Sequence, residues 1–121
     1  MTLVKLIQLL KNDEQIVALL GGSHIYATPC TYRGNCIVYN WMPVTSDTVK
    51  TTDRLELNII TDTILDSVDI ENRVKELLLT LGDEPLDSEI RNVYLNGGGN
   101  LFDEERQKNH RILYFYILKQ E

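Results

Sequence analysis

Residue types that serve catalysis are scarce in this chain of 121 residues, which holds two cysteines, two histidines and one tryptophan. Five residues separate Cys30 from Cys36, which is not a zinc-binding spacing, and we expect two ordinary thiols without a disulfide between them. His24 and His110 occur in no recognisable catalytic motif. Because Cys36 heads an apolar strand, where a buried thiol is unreactive, a Cys–His pair is not expected either. The sequence therefore predicts no enzyme activity, no cofactor and no metal.

Long apolar runs and clusters of basic residues are also missing. No stretch approaches the ~18 consecutive apolar residues of a membrane helix, and the start of the chain lacks the pattern of a secretory signal. We therefore expect no membrane segment and a cytosolic protein at synthesis. The chain has 12 Lys and Arg against 18 Asp and Glu, a net charge of -6. This balance disfavours general nucleic-acid binding, because phosphate contacts need clustered cations.

What the chain does contain is the composition of an ordinary globular domain, with 43% hydrophobic and 25% charged residues. We expect a single domain over residues 1–121. Apolar residues at three- and four-residue steps predict three helices. The first carries the apolar stripe from Leu3 to Leu10, and the second starts at Asn12 and ends at Gly21-Gly22. The third has its apolar stripe at residues 70–81, after Asp66, Ser67 and Asp69 as capping and first-turn residues.

Alternating or β-branched apolar residues predict the strands. These are Cys36–Met42, Asp53–Thr61, Ile90–Asn96 and Arg111–Lys119, with His24–Ala27 as an additional short candidate. Pro43 is predicted to end the first strand, residues 44–52 to form an exposed loop or hairpin tip, and Gly97-Gly98-Gly99 to interrupt strand pairing. The run from Ile112 to Leu118 suits a strand covered on both faces, either central in the sheet or at a subunit interface. Together these elements predict an α+β fold, a mainly antiparallel sheet of about four strands with helices packed on one face.

Three groups of residues allow a functional interpretation, but a structural one explains each of them better. The three glycines lack the Lys and Ser or Thr that follow a phosphate loop, and we interpret them as a bend or bulge. Asp62, Asp66 and Asp69 lack the spacing of a calcium loop, and helix capping accounts for two of them. Trp41 and the aromatic run 114–116 would need a positively charged groove to stack on bases, so core packing and subunit contact are preferred.

The order of the elements and the placement of apolar residues resemble the tail terminator, or tail completion, proteins of long-tailed bacteriophages and prophages. The likeness extends over nearly the whole chain and rests on element order, without an invariant chemical residue. It is carried by Ile16–Gly22 followed by Ile25-Tyr26, by Cys36–Tyr39, by Leu55–Ile59 with the acidic cap and the helix of residues 74–81, and by Leu101–Glu105 leading into His110–Leu118. One difference is Asn35, where such proteins tend to carry a proline ahead of the first long strand.

This resemblance implies a structural virion protein without an active site. It implies a homohexameric ring that caps the completed tail tube, ends tube polymerisation and presents a surface for joining the head. The implied partners are further copies of the chain, the tail tube protein and the head–tail connector protein, while DNA passes through the ring without specific binding. The implied location is the virion tail, with the host cytoplasm during assembly.

A ring subunit of this kind needs an apolar strand for lateral contacts and exposed loops for axial contacts. We expect the lateral contact on the last strand, through Ile112, Tyr114, Phe115, Tyr116 and Ile117. We expect the axial contacts in residues 44–52 and 97–109, through Asp47, Lys50, Asp53, Asp103, Glu104, Glu105 and Arg106. Three alternatives stay open at this point: a head–tail joining protein of the same virion region, a monomeric regulatory binding module and, least supported, a small hydrolase.

Overall fold

A computed structural model of the protein describes residues 2–28, 32, 34–46, 50–79, 90–105 and 107–120. In chain order, its elements are α1 (Thr2–Lys11), α2 (Glu14–Leu20), β1 (Ile25–Ala27), β2 (Cys36–Ser46), β3 (Lys50–Thr61), α3 (Ile64–Leu79), β4 (Ile90–Asp103) and β5 (Lys108–Gln120). The strands form one sheet in the order β1-β2-β3-β5-β4, in which β1 and β2 are parallel and the other neighbours are antiparallel. The predicted α+β class is confirmed, and the short candidate strand is a fifth member of the sheet.

The helices cover one face of this sheet. On β3, the fully buried Leu55, Leu57 and Ile59 alternate with the half-buried Glu56 and Asn58, as expected when only one face of a strand is covered. Helix α3 packs over β3, β4 and β5, while α1 and α2 pack against α3. We call the side opposite the helices the open face, because no helix among the described residues lies over it.

The core lies between the helical layer and the covered face of the sheet. Its largest fully buried side chains come from all three helices and from four strands, and they are Leu6, Leu10, Ile16, Ile25, Ile37, Leu55, Leu57, Ile59, Ile70, Leu78, Phe115 and Ile117. Burial of one side chain of this size contributes about 1.5–3 kcal/mol. The apolar stripes predicted from the sequence therefore meet in a single core.

Helix α2 begins one residue later than predicted. Asp13, and not Asn12, is the N-cap, because its carboxylate accepts a hydrogen bond from the backbone N–H of Ile16 at 3.1 Å. The predicted end is confirmed. Gly21 adopts the left-handed conformation at φ 76°, and the N–H of the next residue donates to the carbonyl of Val17 at 2.9 Å.

Helix α3 begins at Ile64, earlier than predicted, since Asp66, Ser67 and Asp69 were expected to form the cap and the first turn. Its cap is Thr63, whose Oγ1 accepts the backbone N–H of Asp66 at 3.2 Å. Ser67 lies inside the first turns, where its hydroxyl donates to the carbonyl of Ile64 at 2.7 Å. The periodic core stripe starts only at Ile70, so the apolar pattern did not reveal this first turn. The predicted helix end near residue 81 and the turn at 83–85 lie outside the described residues.

The hairpin of β2 and β3 is longer than predicted, because β2 continues through Pro43 to residue 46 and β3 already starts at residue 50. Only residues 47–49 remain for the predicted loop, and they lie outside the described residues. The ladder shifts register between Pro43 and Thr45. The backbone groups of every second residue point to the same side of a strand, and the N–H of Ile37 and the carbonyl of Tyr39 point away from β3, towards β1. A backbone N–H at position 43 would also point away from β3. A proline there removes no hydrogen bond from the hairpin.

The glycine segment bends β4 without ending it. The register shifts between Leu95 and Gly98, which is the bulge that the sequence predicted, and Gly97 takes a positive φ of 95°. Pairing resumes at Gly98, where an added Cβ would meet the carbonyl oxygen of Ile112 at 2.3 Å. The prediction that β4 stops before the glycines is therefore wrong, because their small size lets the strand stay close to β5.

Candidate interaction surfaces

The last strand, β5, lies between β3 and β4, so its predicted central position is confirmed. Side chains that alternate along it divide between the two faces of the sheet. Phe115 and Ile117 point into the core and have no exposed surface. Ile112, Tyr114 and Tyr116 lie on the open face and are half-buried. The sequence analysis placed all five in one lateral contact, and for Phe115 and Ile117 this is corrected, because the helical layer already covers them.

The open face presents a continuous surface of half-buried side chains from β2, β3 and β5. Its apolar members are Val38, Met42, Ile112, Tyr114, Tyr116 and Leu118. Arg54 lies among them, with its guanidinium carbon 5.2 Å from the centre of the Tyr114 ring and Nη2 3.2 Å from the sulfur of Met42. A cation held over an aromatic ring keeps both groups partly desolvated. Glu56 also lies on this face, directly opposite Tyr114 in the ladder, so the face is a mixed apolar and charged surface, unlike a fully hydrated sheet face.

Four of the predicted axial residues belong to residues 103–106 between β4 and β5, and the structure describes three of them. Asp103 Oδ1 accepts the backbone N–H of Glu105 at 3.1 Å. Gln107, with a φ of 56°, donates from Nε2 to the carbonyl of Glu104 at 2.6 Å. The side chains of Glu104 and Glu105 are exposed, and Arg106 lies outside the described residues. The described residues of the turn thus present exposed acidic side chains on a hydrogen-bonded backbone.

The remaining predicted axial residues belong to the opposite end of the sheet. Lys50 is the first residue of β3, whereas Asp47 lies outside the described residues. Asp53 is only 2% exposed, and its Oδ2 accepts the indole N–H of Trp41 at 3.0 Å. Asp53 is therefore not in an exposed loop, because β3 extends beyond the predicted start and carries it into the protein. At about 3.3 Å per residue, β3 separates the two ends of the sheet by roughly 36 Å.

An ion pair joins α2 to α3. The guanidinium of Arg73 donates to both carboxylate oxygens of Asp13, with N–O distances of 2.6, 3.0 and 3.1 Å. These hydrogen bonds hold the pKa of Asp13 below its ordinary value, and the carboxylate raises the pKa of Arg73. Because Asp13 also caps α2, one carboxylate fixes the start of that helix and its contact with α3.

A second ion pair connects α3 to the sheet beside the glycine segment. Arg111 places Nε 2.9 Å from Oε1 of Glu71 on α3 and donates from Nη1 to Oδ1 of Asn100 at 2.9 Å. These three side chains line a cleft of about 250 Å³ with the glycines at 97–99. Their polar groups bond to one another, so the cleft has a structural role. Sequence reasoning missed it, because the partners come from three elements that only the folded sheet brings together.

The structure keeps the described cysteine and His110 apart. Cys36 is buried and pairs across the ladder with Ile60, which in turn pairs with His110, so two strand spacings of about 4.8 Å separate them. His110 Nδ1 accepts a hydrogen bond from the amide nitrogen of Asn58 at 3.0 Å, since that nitrogen can only donate. Cys30 lies outside the described residues. Cys36 and His110 therefore do not form a nucleophile pair.

Metal-binding clusters and membrane-spanning helices are both absent from the described ranges. No group of three or more His, Cys, Asp or Glu side chains there is placed to hold a metal ion. Asp62 instead forms an ion pair with Lys108, and Asp66 lies in the first turn of α3. The other histidine, His24, bonds through Nδ1 to the hydroxyl of Tyr26 at 2.9 Å. No helix in these ranges is long and apolar enough to cross a membrane.

Comparison with known proteins gives a result at the level of the fold. No family model matches the chain, and no curated protein matches its sequence. Among solved structures, a chain from the virion of a native gene transfer agent particle is similar in fold, with a TM-score of 0.72 over 96% of this chain and 92% of that chain. The two sequences are 16% identical over this alignment. At this identity, the likeness shows a shared fold.

Proposed function

We propose that this protein is a structural virion protein that forms a ring, a homohexamer by the family resemblance, on the completed tail tube. The ring ends tube polymerisation and presents the surface to which the head connector binds. The observation that carries this proposal is the likeness in fold to a chain of the gene transfer agent virion, which covers nearly all of both chains. Because one fold can host several functions, the surfaces of this chain must also suit such a ring.

The open face suits the lateral contact of the ring. In a ring, each subunit meets the next through two different surfaces, and at least one of them is usually apolar at its centre. The half-buried Tyr114, Tyr116 and Ile112 supply such a centre, with Arg54 held beside them. Aromatic and arginine side chains carry much of the binding energy in interfaces of this type. Phe115 and Ile117 contribute only by holding β5 in place.

The two ends of the sheet suit the axial contacts. A subunit that sits between a tube and a head connector needs one surface for each, and the two hairpin ends lie roughly 36 Å apart along β3. One end carries Lys50, and the other carries Asp103, Glu104 and Glu105. The net charge of -6 agrees with a ring that lets DNA pass without holding it. This role places the protein in the virion tail, and in the host cytoplasm during assembly, and it requires no catalysis.

Electron microscopy of particles from a producing strain with the gene deleted tests this proposal. We expect overlong, irregular tails without heads, because nothing stops tube growth. Tails of normal length that stay unjoined would instead assign the protein to head–tail joining. Normal particles would contradict any virion role and favour a regulatory binding module.

Complementation of the deletion tests the ring contact separately. Tyr114→Asp, which buries a charge in the proposed lateral contact, should fail to restore tail length, whereas Val4→Asp on the exposed surface of α1 should restore it. Urea unfolding of both purified variants checks that each one folds. Restoration by Tyr114→Asp would contradict a lateral contact on the open face.

A further inference from the structure

Four large apolar side chains are exposed at the end of the sheet where β4 turns into β5. Leu101 and Phe102 on β4 are 60% and 48% exposed, and Ile64 and Leu65 at the start of α3 are 60% and 70% exposed. They are four of the seven large apolar side chains that are exposed in the described residues. Single exposed apolar residues are normal on a protein surface, but a cluster of them marks an interaction site.

Strand pairing holds Phe102 on the helix side of the sheet near the start of α3, whereas its neighbour Leu101, which pairs with His110, points to the open face. Phe102 pairs with Asn109, and Asn109 pairs with Thr61, the last residue of β3. Cross-strand partners lie on the same face, and α3 starts three residues after Thr61. The amide of Asn109 also donates to the carbonyl of Asp62 at 3.2 Å. The start of α3 is therefore fixed beside the β4–β5 hairpin.

The folding of this chain does not require these four side chains to be apolar. The core stripe of α3 begins at Ile70 and continues through Val74 and Leu78, so Ile64 and Leu65 add little to it. Glycine and polar residues are the usual choice near a hairpin end, where Leu101 and Phe102 stand instead. Their apolar character is thus better explained by a contact outside the chain.

Acidic residues surround this apolar group. Asp66 lies in the first turn of α3, and Asp103, Glu104 and Glu105 follow directly after Phe102. Lys108 forms an ion pair with Asp62, and Nε2 of His110 lies 3.6 Å from Oδ2 of Asp103, while Glu104 and Glu105 are exposed. A negative rim around an apolar centre attracts a positive rim around an apolar pocket and repels nucleic acid and a symmetric copy of itself.

We propose that Ile64, Leu65 and Phe102, here named the turn-end patch, bind a protein surface whose apolar pocket is framed by Lys and Arg side chains. This deepens the proposed function and rests on it for one point, that the bound protein is an axial neighbour in the tail. Sequence reasoning identified the acidic turn and missed the apolar centre, which includes two residues from a distant part of the chain.

Binding of the purified protein to tails purified from the deletion strain tests this inference. Co-sedimentation over a series of protein concentrations measures the apparent affinity. We expect the double variant Leu65→Ser, Phe102→Ser to lose at least about tenfold in affinity, since each removed anchor is worth more than about 1 kcal/mol in a buried interface. Glu104→Lys, Glu105→Lys should bind more weakly at low salt, with a smaller salt dependence than the wild type. Val4→Ser, an equally exposed apolar position on α1, is the matched control and should bind normally.

The outcomes separate the two proposals. If the wild type binds and both patch variants bind equally well, the turn-end patch is wrong while the proposed function stands. If the wild type itself does not bind tails, the proposed function fails and the inference fails with it. If the serine variant instead lowers the native mass of the purified protein and leaves tail binding unchanged, the patch joins copies of this chain and the basic partner is wrong. Because the substituted positions are exposed, the free energy of unfolding of every variant, measured in urea, should stay within about 0.5 kcal/mol of the wild-type value.

Discussion

Neighbouring residues of β5 belong to two different parts of the molecule. Phe115 points to the covered face and is fully buried against the helical layer, while Tyr114 points to the open face and stays half-exposed beside Arg54. Both belong to one apolar run in the sequence. The difference teaches that an apolar strand serves two purposes when helices cover only one of its faces. One set of side chains stabilises the subunit, and the other is available to a neighbour.

Truncation of Phe115 and of Tyr114 should give the largest difference in stability between the covered face and the open face. Phe115→Ala should destabilise the protein by about 3–5 kcal/mol, because it leaves a cavity in a close-packed core. Tyr114→Ala should cost only about 1 kcal/mol, since it removes a half-buried ring and its contact with Arg54. Urea unfolding followed through the fluorescence of Trp41 measures both. If both variants lose the same free energy of unfolding, Tyr114 is packed as tightly on the open face as Phe115 is on the covered face.

Two adjacent glycines of β4 should also differ in how much their substitution destabilises the protein, by a smaller amount. Gly98 is level with Leu113 on the covered side and Gly99 with Ile112 on the open side. Gly98→Ala should cost about 1–3 kcal/mol, because its Cβ would meet a backbone carbonyl oxygen at 2.3 Å. Gly99→Ala has no atom within 4 Å of its new Cβ and should stay within about 0.5 kcal/mol of the wild type. If the two variants unfold at the same urea concentration, the close approach of β4 to β5 is wrong.

The smallest predicted effect concerns the helical layer of the covered side and appears with pH. Arg73 lowers the pKa of Asp13 in the folded protein, so this pair stabilises the fold above the ordinary Asp pKa near 4. The contribution is lost as the pH falls below about 4 through the folded pKa. Asp13→Asn keeps an oxygen that can cap α2 and should therefore be less stable than the wild type by about 0.5–1 kcal/mol at pH 7.

The difference in stability between the Asp13→Asn variant and the wild type should narrow from pH 7 to the most acidic pH at which both proteins still fold, because the wild-type carboxylate takes up a proton as the pH falls through its lowered pKa. Urea unfolding of both proteins at the two pH values gives this difference. A constant gap would mean that the lost stability comes from capping geometry and not from the charge on Asp13.

The sequence predicted the elements better than their ends. The alternation of Leu55, Leu57 and Ile59 identified β3, but β2 crosses Pro43 and β4 crosses the glycines, where local propensity favours a stop. Pairing with β3 and β5 stabilises these extensions, and such pairing is non-local. The early start of α3 was missed for a related reason, because its first turn carries Ile64 and Leu65 off the core stripe.

The candidate surfaces were predictable only in part. The acidic turn could be read directly, because Asp103, Glu104 and Glu105 are contiguous in the chain. The turn-end patch could not, since Leu65 and Phe102 become neighbours through the pairing of β3 with β5 and of β5 with β4. Asp53 was predicted as the first residue of β3 and as an axial contact, because its burial and its hydrogen bond with Trp41 depend on the three residues by which β3 extends ahead of it.

The sequence by itself determined the α+β class, the single core and the absence of a marked catalytic motif, because periodicity and composition are local properties that one strand or helix already displays. Only the tertiary structure decided which half of the β5 run is core, that Gly98 must be small, and which apolar residues gather at the β4–β5 end. Each of these depends on what a distant segment places opposite the residue, such as the carbonyl of Ile112 facing Gly98. A residue's own chemistry gives its preference for burial, but its neighbours in space decide whether that burial occurs within the subunit or against a partner.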